Sequence, residues 1–350
     1  MLGLAYISVF ILIAIFSPFI RPDQSQDANQ QNLLLSKQKP GFEVQVLSKE
    51  NSKDGFFKRW IQDGNAGLTE EWAFTELNFQ KDTVSIKMYD PSGFTDWRNI
   101  YVPGVETGMT VATFSETIEG YTIGKKRFWF GTDKYGRDLL SRLISGSRIS
   151  IAVGFVAVFI SLLLGITLGA SAGYFGGKLD QVISWIINVV WSIPTLLMVI
   201  AITLAFGKGF WQVFIAVGLT MWVEVARVVR GQYLSLKELE YVQAAKVLGF
   251  SHARIIFKHI LPNAIGPIIV ISAANFAAAI LIEAGLSFLG IGAQIPTPSW
   301  GNMIKEHYAL ITTNLAYLAI LPGVLIMSLV LAFMLVGNAV RDALDVKTSS

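Results

Sequence analysis

The sequence predicts an all-α membrane protein with six transmembrane helices and a small β-containing insert between the first two spans. Two observations lead to this fold class. Hydrophobic residues fill 53% of the 350 positions and charged residues only 15%, whereas soluble globular chains carry about 25% charged residues. The charges are also unevenly placed, because residues 21–130 hold 13 Lys and Arg and 15 Asp and Glu, and residues 131–350 hold only 15 and 10.

Six stretches are long and apolar enough to cross a bilayer, which takes about 20 mostly apolar residues. In chain order they are Leu2–Ile20, Ile149–Ser171, Val182–Phe206, Trp211–Ala226, Ala264–Gly290 and Thr313–Gly337. The first stretch lacks the basic n-region and the small-residue cleavage site of a signal peptide, so we predict an uncleaved first helix. No basic residue precedes it, and we leave open whether the chain starts further upstream.

The insert, residues 21–130, is predicted to be folded. It contains 16 aromatic residues, far more than a disordered linker carries. Residues 83–89 alternate between apolar and polar side chains as a half-buried strand does, and Asp90–Gly93 has the composition of a turn. No catalytic constellation is recognisable in this segment, and its purpose stays open.

The loop between the fourth and fifth spans sets the orientation, because most basic residues near the bilayer lie there. These residues are Arg227, Arg230, Lys237, Lys246, Arg254 and Lys258. The positive-inside rule therefore places residues 227–262 in the cytoplasm. Counting spans from there makes both termini cytoplasmic and the insert extracytoplasmic. The chain is thus expected to consist of a first helix (1–20), the insert (21–130) and a five-span core (131–350).

The cytoplasmic loop has internal structure. Residues 237–248 are rich in helix formers, and Gly249 follows where a helix C-terminus needs a left-handed residue. Ser251 is placed to cap a second helix over residues 253–260, which Leu261–Pro262 is expected to end. The small side chains of Ala244 and Ala245 at the centre of the first helix would let another protein approach closely. The alternative is an amphipathic surface helix that packs only on its own chain.

Motifs for chemistry are missing from the sequence. It contains no G-x-x-x-x-G-K-[ST] phosphate-binding motif and no cysteine. His252 and His259 lie seven residues apart in a basic loop without a carboxylate between them, so we expect surface or interface residues rather than metal ligands. We predict a conduit that is not an enzyme and that has no cofactor or metal of its own.

The loop resembles the "EAA" loop of ABC importer permeases, in particular the C-type permeases of dipeptide, oligopeptide and nickel importers. The matching stretches are Arg227–Gly231, Leu234, Tyr241–Gly249 and His259–Asn263. The resemblance implies that this loop couples to a cytoplasmic ATPase through Tyr241, Gln243, Ala244, Ala245, Gly249, Leu261 and Pro262. Gln243 departs from the family pattern, because a Glu usually stands there and an ionic contact with the ATPase is thereby put in doubt.

Three further stretches extend the resemblance over nearly all of residues 131–350. Residues 131–138 are similar to the family's GTD-x-x-GRD segment, residues 283–290 with 298–301 to its fifth-span signature, and residues 341–345 to its C-terminal tail. The match weakens over residues 180–188 and is poor in residues 21–130. The implied fold is that of a type I ABC importer permease in the bacterial cytoplasmic membrane.

The resemblance also implies partners. They are a homologous B-type permease that forms a heterodimer with this chain, two cytoplasmic ABC ATPase subunits, an extracytoplasmic substrate-binding protein and membrane lipid, with no nucleic acid. The implied function is ATP-driven import of peptides or peptide-like substrates. The sequence leaves the cargo open among dipeptides, longer peptides, peptide antibiotics and nickel chelates.

Polar residues next to or within the spans carry four further expectations. Asp138 is expected to cap a short interfacial helix over residues 139–148, and Asp133 to tighten the preceding turn. Glu224 lies three residues before Arg227, which predicts a local ion pair. Glu283 and Pro194 are candidates for the translocation path or for helix packing.

Two alternative functions make different predictions for the sequence from those of an importer permease. An ion-coupled secondary carrier predicts an inverted repeat and acids clustered at the midplane, and neither is evident in the sequence. A membrane-anchored protein whose extracytoplasmic domain is the active part leaves the structured cytoplasmic loop unexplained.

Overall fold

The computed structural model describes residues 2–49, 54–65, 70–93, 96–207, 209–294 and 296–345. Long apolar helices form one bundle, and a five-stranded sheet follows the first helix. The helices are α1 Leu2–Ile20, α2 Phe56–Ile61, α3 Val111–Thr117, α4 Leu139–Phe175, α5 Gly177–Trp191, α6 Thr195–Phe206, α7 Phe210–Leu236, α8 Glu240–Val247, α9 His252–Leu289, α10 Trp300–His307 and α11 Tyr317–Asp345. The strands are β1 Phe42–Lys49, β2 Glu70–Gln80, β3 Thr83–Met88, β4 Trp97–Tyr101 and β5 Tyr121–Phe128.

Five helices in the described part of the chain are long and apolar enough to cross a membrane, namely α1, α4, α7, α9 and α11. The segment predicted as a single span over Val182–Phe206 is instead two helices, α5 and α6, bent by 92°. The break falls at Ser192–Pro194, where Pro194 starts α6 as its N-cap residue. A proline lacks the N–H that a continuous helix would need and disfavours helical geometry in the residue before it, which explains the correction.

Helix α4 packs closely along α7. Gly165, Gly169 and Gly173 form a stripe of small residues on α4, and a Cβ added to Gly169 would lie 2.5 Å from the carbonyl oxygen of Ala226. Only glycine permits this approach, because any side chain there would overlap the α7 backbone. The stripe holds α4 against α7, the helix that leads to α8.

The helix predicted to lie separately over residues 139–148 is the first part of α4, which runs unbroken for 37 residues. Its polar side does not face an interface with water, since Arg142 is 2% exposed. The insert covers that side, and Arg21 and Asp23 bond to Ser145 and Ser141 of α4. The polar pattern therefore marks a buried contact with the insert. The predicted cap is confirmed, because Asp138 accepts a hydrogen bond from the Ser141 backbone N–H at 2.8 Å.

The insert is folded around its sheet, whose strand order is β4-β3-β2-β1-β5 with antiparallel pairing throughout. The predicted strand is present as β3, and the predicted turn is closed by a bond from the Gly93 N–H to the Asp90 carbonyl. Its apolar core has Phe74, Phe79 and Phe114 at the centre. Aromatic burial thus replaces the disulfides that the chain lacks.

The second helix predicted in the cytoplasmic loop does not end at Leu261–Pro262. It continues as α9 through Leu289, and a π-helical stretch over Ile255–Ile260 precedes the proline. This wider turn accommodates the missing N–H of Pro262. The side chain of Asn263 also donates to the His259 carbonyl at 2.7 Å.

Candidate functional site

Helix α8 is the centre of the candidate coupling site. It begins at Glu240, three residues later than predicted, and it has one face in the protein and one in solvent. Val242 and Ala245 are buried in an apolar cluster with residues of α4, α7 and α9. Leu261 packs against the same cluster, whereas Pro262 is exposed. The cluster fixes the orientation of α8 on the bundle.

The opposite face of α8 is apolar and has no covering element in the described part of the chain. Tyr241 is 40% exposed, Val247 87% and Leu248 71%, and Ala244 is also exposed. These residues, which we call the docking face, follow the three- and four-residue spacing that places side chains on one side of a helix. The sequence did not single out Val247 and Leu248, although their position after Ala244 is the signal that identifies them.

Gly249 ends α8 with a left-handed backbone, at φ +73°. The Gly249 N–H bonds to the Lys246 carbonyl at 3.0 Å and the Phe250 N–H to the Ala245 carbonyl at 3.1 Å. This pair of bonds is the Schellman motif, in which glycine is favoured because a Cβ strains the left-handed conformation. The predicted N-cap is also confirmed, because the Ser251 side chain accepts from the Arg254 N–H.

Gln243 is half-buried and faces its own chain. Its side-chain Nε2 donates to the Lys237 carbonyl at 2.9 Å. An ionised glutamate has no proton to donate to this carbonyl, so the amide makes a bond that the family's usual residue would not make in the same pose. Gln243 therefore ties the start of α8 to the end of α7.

Polar contacts connect the loop to the bundle on three sides. The Tyr174 hydroxyl lies 2.9 Å from His252 Nδ1, and the Tyr233 hydroxyl donates to the Ile256 carbonyl at 3.0 Å. Lys237 donates to the Gly173 carbonyl at 2.9 Å. His252 is exposed, and its ring contacts Tyr174 of α4. These contacts join α4, α7 and α9 to one another next to α8.

One ion pair links this assembly to the bent helix pair. Arg230 of α7 donates through Nε and Nη2 to the two carboxylate oxygens of Asp180 on α5, at 2.5 and 2.7 Å. Bidentate contacts of this kind fix orientation as well as distance. Sequence reasoning missed the pair, because fifty positions separate the two residues and the family match is weak around Asp180.

The two membrane candidates lie apart from the coupling site. Pro194 stands at the break between α5 and α6. Glu283 is 1% exposed, and its Oε1 accepts a hydrogen bond from Ser287 at 2.6 Å. The predicted ion pair of Glu224 with Arg227 is wrong, since no such pair occurs among the described residues and the Arg227 guanidinium lies 3.8 Å from the centre of the Trp191 ring.

The GTD-x-x-GRD segment forms a buried ionic cluster beneath the insert. Asp133 accepts hydrogen bonds from the Tyr135 and Arg137 N–H groups, as its predicted turn role requires. Arg137 donates to Asp133 at 2.6 Å and to Glu306 at 2.7 Å. Burial lowers the pKa of His307 beside them. The guanidinium groups of Arg137 and Arg142 together balance the two carboxylates, so this cluster has the chemistry of a structural ion-pair network.

Comparisons with known proteins place this geometry in context. The family model described as "binding-protein-dependent transport system inner membrane component" matches residues 165–350. The dipeptide transport system permease protein DppC of Alkalihalophilus pseudofirmus is 43% identical over 222 residues, 63% of this chain and 73% of the relative. The oligopeptide transport system permease protein OppC of Haemophilus influenzae is 39% identical over 242 residues, 69% and 76% of the two chains. A chain of the inward-facing methionine ABC transporter MetNI superposes with a TM-score of 0.47 and 21% identity, over 57% of this chain and 95% of that chain.

Proposed function

Because this chain belongs to the family of inner membrane components of binding-protein-dependent transport systems and is a non-catalytic, multi-pass ABC permease subunit, we propose that its cargo is a peptide or a peptide-like molecule. The relatives named for dipeptide and oligopeptide transport support this cargo class. ATP hydrolysis belongs to a separate subunit. The rival assignment as an ion-coupled carrier does not agree with this family.

The docking face of α8 is the contact with the ATPase. Its apolar residues are exposed in water at the cytoplasmic end of the bundle, where the hydrophobic effect favours their burial against a partner. Tyr241, Ala244, Val247 and Leu248 project from a helix that the buried residues Val242 and Ala245 hold in place. This combination of a fixed helix and an uncovered apolar side is the observation that carries the proposal.

Membership of this family also supports proposals for the spans, the domains, the orientation and the partners of the chain. The bent pair α5 and α6 counts as the third of six spans, and the division into residues 1–20, 21–130 and 131–350 separates first helix, insert and core. The insert lies outside the cytoplasmic membrane of a bacterium, and both termini lie inside. A B-type permease completes the pathway, two ATPases bind below it, and a binding protein delivers cargo from outside.

Pro194 and Glu283 have different roles in this proposal. Pro194 sets the break of the third span, which is the place where a bundle bends most readily. Glu283 serves helix packing, because its side chain is buried and bonded to Ser287 within its own helix. Neither residue needs to touch cargo.

Purification from the native membrane tests the assignment. The chain is expected to retain a second permease and an ATPase in mild detergent. Proteoliposomes that contain this complex and its binding protein are expected to take up a radiolabelled dipeptide only when ATP is present, with no effect of a protonophore. Uptake that a protonophore abolishes and that ATP does not support would contradict the proposal.

A further inference from the structure

Glu224 lies at membrane depth on α7. It follows Trp211 by thirteen residues, which corresponds to about 20 Å along an α-helix. Aromatic residues such as Trp211 are typical of the membrane interface, and the hydrocarbon core is about 30 Å thick. Glu224 is therefore located inside the core, in its inner half.

The carboxylate of Glu224 is exposed and has no ion pair among the described residues. Arg227, one turn further along the same side of α7, is held over the Trp191 ring instead. Glu283, the other acid at membrane depth, is buried and hydrogen-bonded. Of the two acids, only Glu224 is exposed, so only its side chain is accessible to a solute.

Glu224 lines a cavity of about 140 Å³. Residues from the end of α5, the start of α6, α7 and α9 line it, and Glu224 is the one ionisable residue among them. Trp191 and Ile193 border the cavity at the break of the bent pair, and Ile193 is 44% exposed. The cavity therefore lies where α5 and α6 separate.

An exposed carboxylate in contact with lipid is costly at the centre of a membrane, so such groups face a water-filled cavity or another subunit. We propose that Glu224 lines the translocation path and contacts the terminal ammonium group of the cargo. The proposal rests on the assignment of peptide cargo, because peptides with a free N-terminus carry this cation. The aromatic and apolar walls around Glu224 lower the local dielectric and strengthen its attraction for a cation.

Thiol chemistry in the assembled transporter tests the location. The chain has no cysteine, so Ile193→Cys supplies a single thiol of this subunit beside Glu224. A cationic methanethiosulfonate reagent is expected to react about tenfold faster than an anionic one of similar size, and Glu224→Gln is expected to remove that preference. The control Phe159→Cys lies in the middle of the span α4 at a position 69% exposed, and it is expected to be unreactive because lipid covers such a position and keeps charged reagents away. Two results would overturn the proposal. The first is an unreactive thiol at position 193, which a partner side chain covering the cavity would cause. The second is a thiol that reacts equally fast with the cationic and the anionic reagent.

Protection of this thiol by peptides tests the contact between Glu224 and the terminal ammonium group of the cargo. Millimolar dialanine is expected to slow labelling of the Ile193→Cys transporter several-fold, N-acetyl-dialanine to leave it unchanged, and Glu224→Gln to abolish the protection by dialanine. Equal protection by both peptides, or none, overturns the contact. Glu224→Gln is also expected to lower dipeptide uptake several-fold while the purified complex keeps its subunits. If the unmodified transporter shows no ATP-driven dipeptide uptake, the proposed function fails, whatever the labelling shows.

Discussion

Substitution of Gly249 tests the geometry of the coupling site. The backbone at Gly249 is left-handed, with φ +73°, and no atom lies within 4 Å of the position that a Cβ would take. The cost of a side chain is therefore conformational and not steric, and it amounts to about 1–2 kcal/mol for a residue with a Cβ. Such a cost lowers the equilibrium constant for forming the native α8 turn by a factor of roughly 5 to 30, since about 1.4 kcal/mol is tenfold.

The series Asn, Ala and Val at position 249 separates this cause from others. Asparagine tolerates the left-handed region, alanine does so less well, and a β-branched residue is the least suited. We expect Gly249→Asn to retain near-normal ATPase affinity and dipeptide uptake, Gly249→Ala to lose part of both, and Gly249→Val to lose most. Gly231→Ala is the matched control, because Gly231 is a helical residue in α7 that also has open space around it; this variant should keep full activity.

The measurement is ATPase binding to the purified permease pair, followed by uptake in proteoliposomes. The reasoning is refuted if Gly249→Val binds the ATPase and transports as the unmodified protein does. It is also refuted if Gly249→Asn is as defective as Gly249→Val, because left-handed geometry would then not be what the site requires.

Further predictions concern the ion pair below the bent helices and one acid in the insert. Arg230→Gln is expected to lower the uptake per ATP hydrolysed. Adding Asp180→Asn should lower it little further, since either substitution already breaks the bidentate Arg230–Asp180 pair. Additive losses in the double variant would contradict a role for this ion pair. Burial and the nearby Asp63 carboxylate raise the pKa of Asp27 to about 6. Asp27 then destabilises the fold on the order of 2–3 kcal/mol above pH 6, a penalty that vanishes below about pH 4, where folded and unfolded chains are both protonated. Asp27→Asn should therefore raise the thermal unfolding temperature at pH 8 and not at pH 4, and an equal change at both pH values would count against this reading.

Sequence patterns predicted the local features of the coupling site because those features depend on single residues. Left-handed geometry at Gly249, the cap at Ser251 and the cap at Asp138 each follow from side-chain chemistry at one position. The apolar spans were likewise evident from composition. By contrast, hydropathy contains no information about the direction of a helix, so the 92° bend after α5 was found only in the structure.

Contacts between distant segments explain the other differences. Arg142 belongs to the helix predicted to lie at the water interface, but residues of the insert more than a hundred positions away, such as Arg21 and Asp23, cover that side of the helix and bury it. The proline in the sequence predicted that the helix ends at Leu261–Pro262, but the helix continues because a π-helical stretch over Ile255–Ile260 precedes the proline. The Arg230–Asp180 pair and the exposure of Glu224 also depend on how helices cross, which one sequence does not encode in a local pattern.

The most direct test of the account is a cross-link from the docking face to the ATPase. Leu248→Cys and Tyr101→Cys give single thiols at sites that are both 71% exposed, one on α8 and one in the insert. Each variant is labelled with benzophenone maleimide, reassembled with its partners and irradiated. We predict an adduct with the ATPase from position 248 and none from position 101. No ATPase adduct from position 248, or an ATPase adduct from position 101, would contradict it.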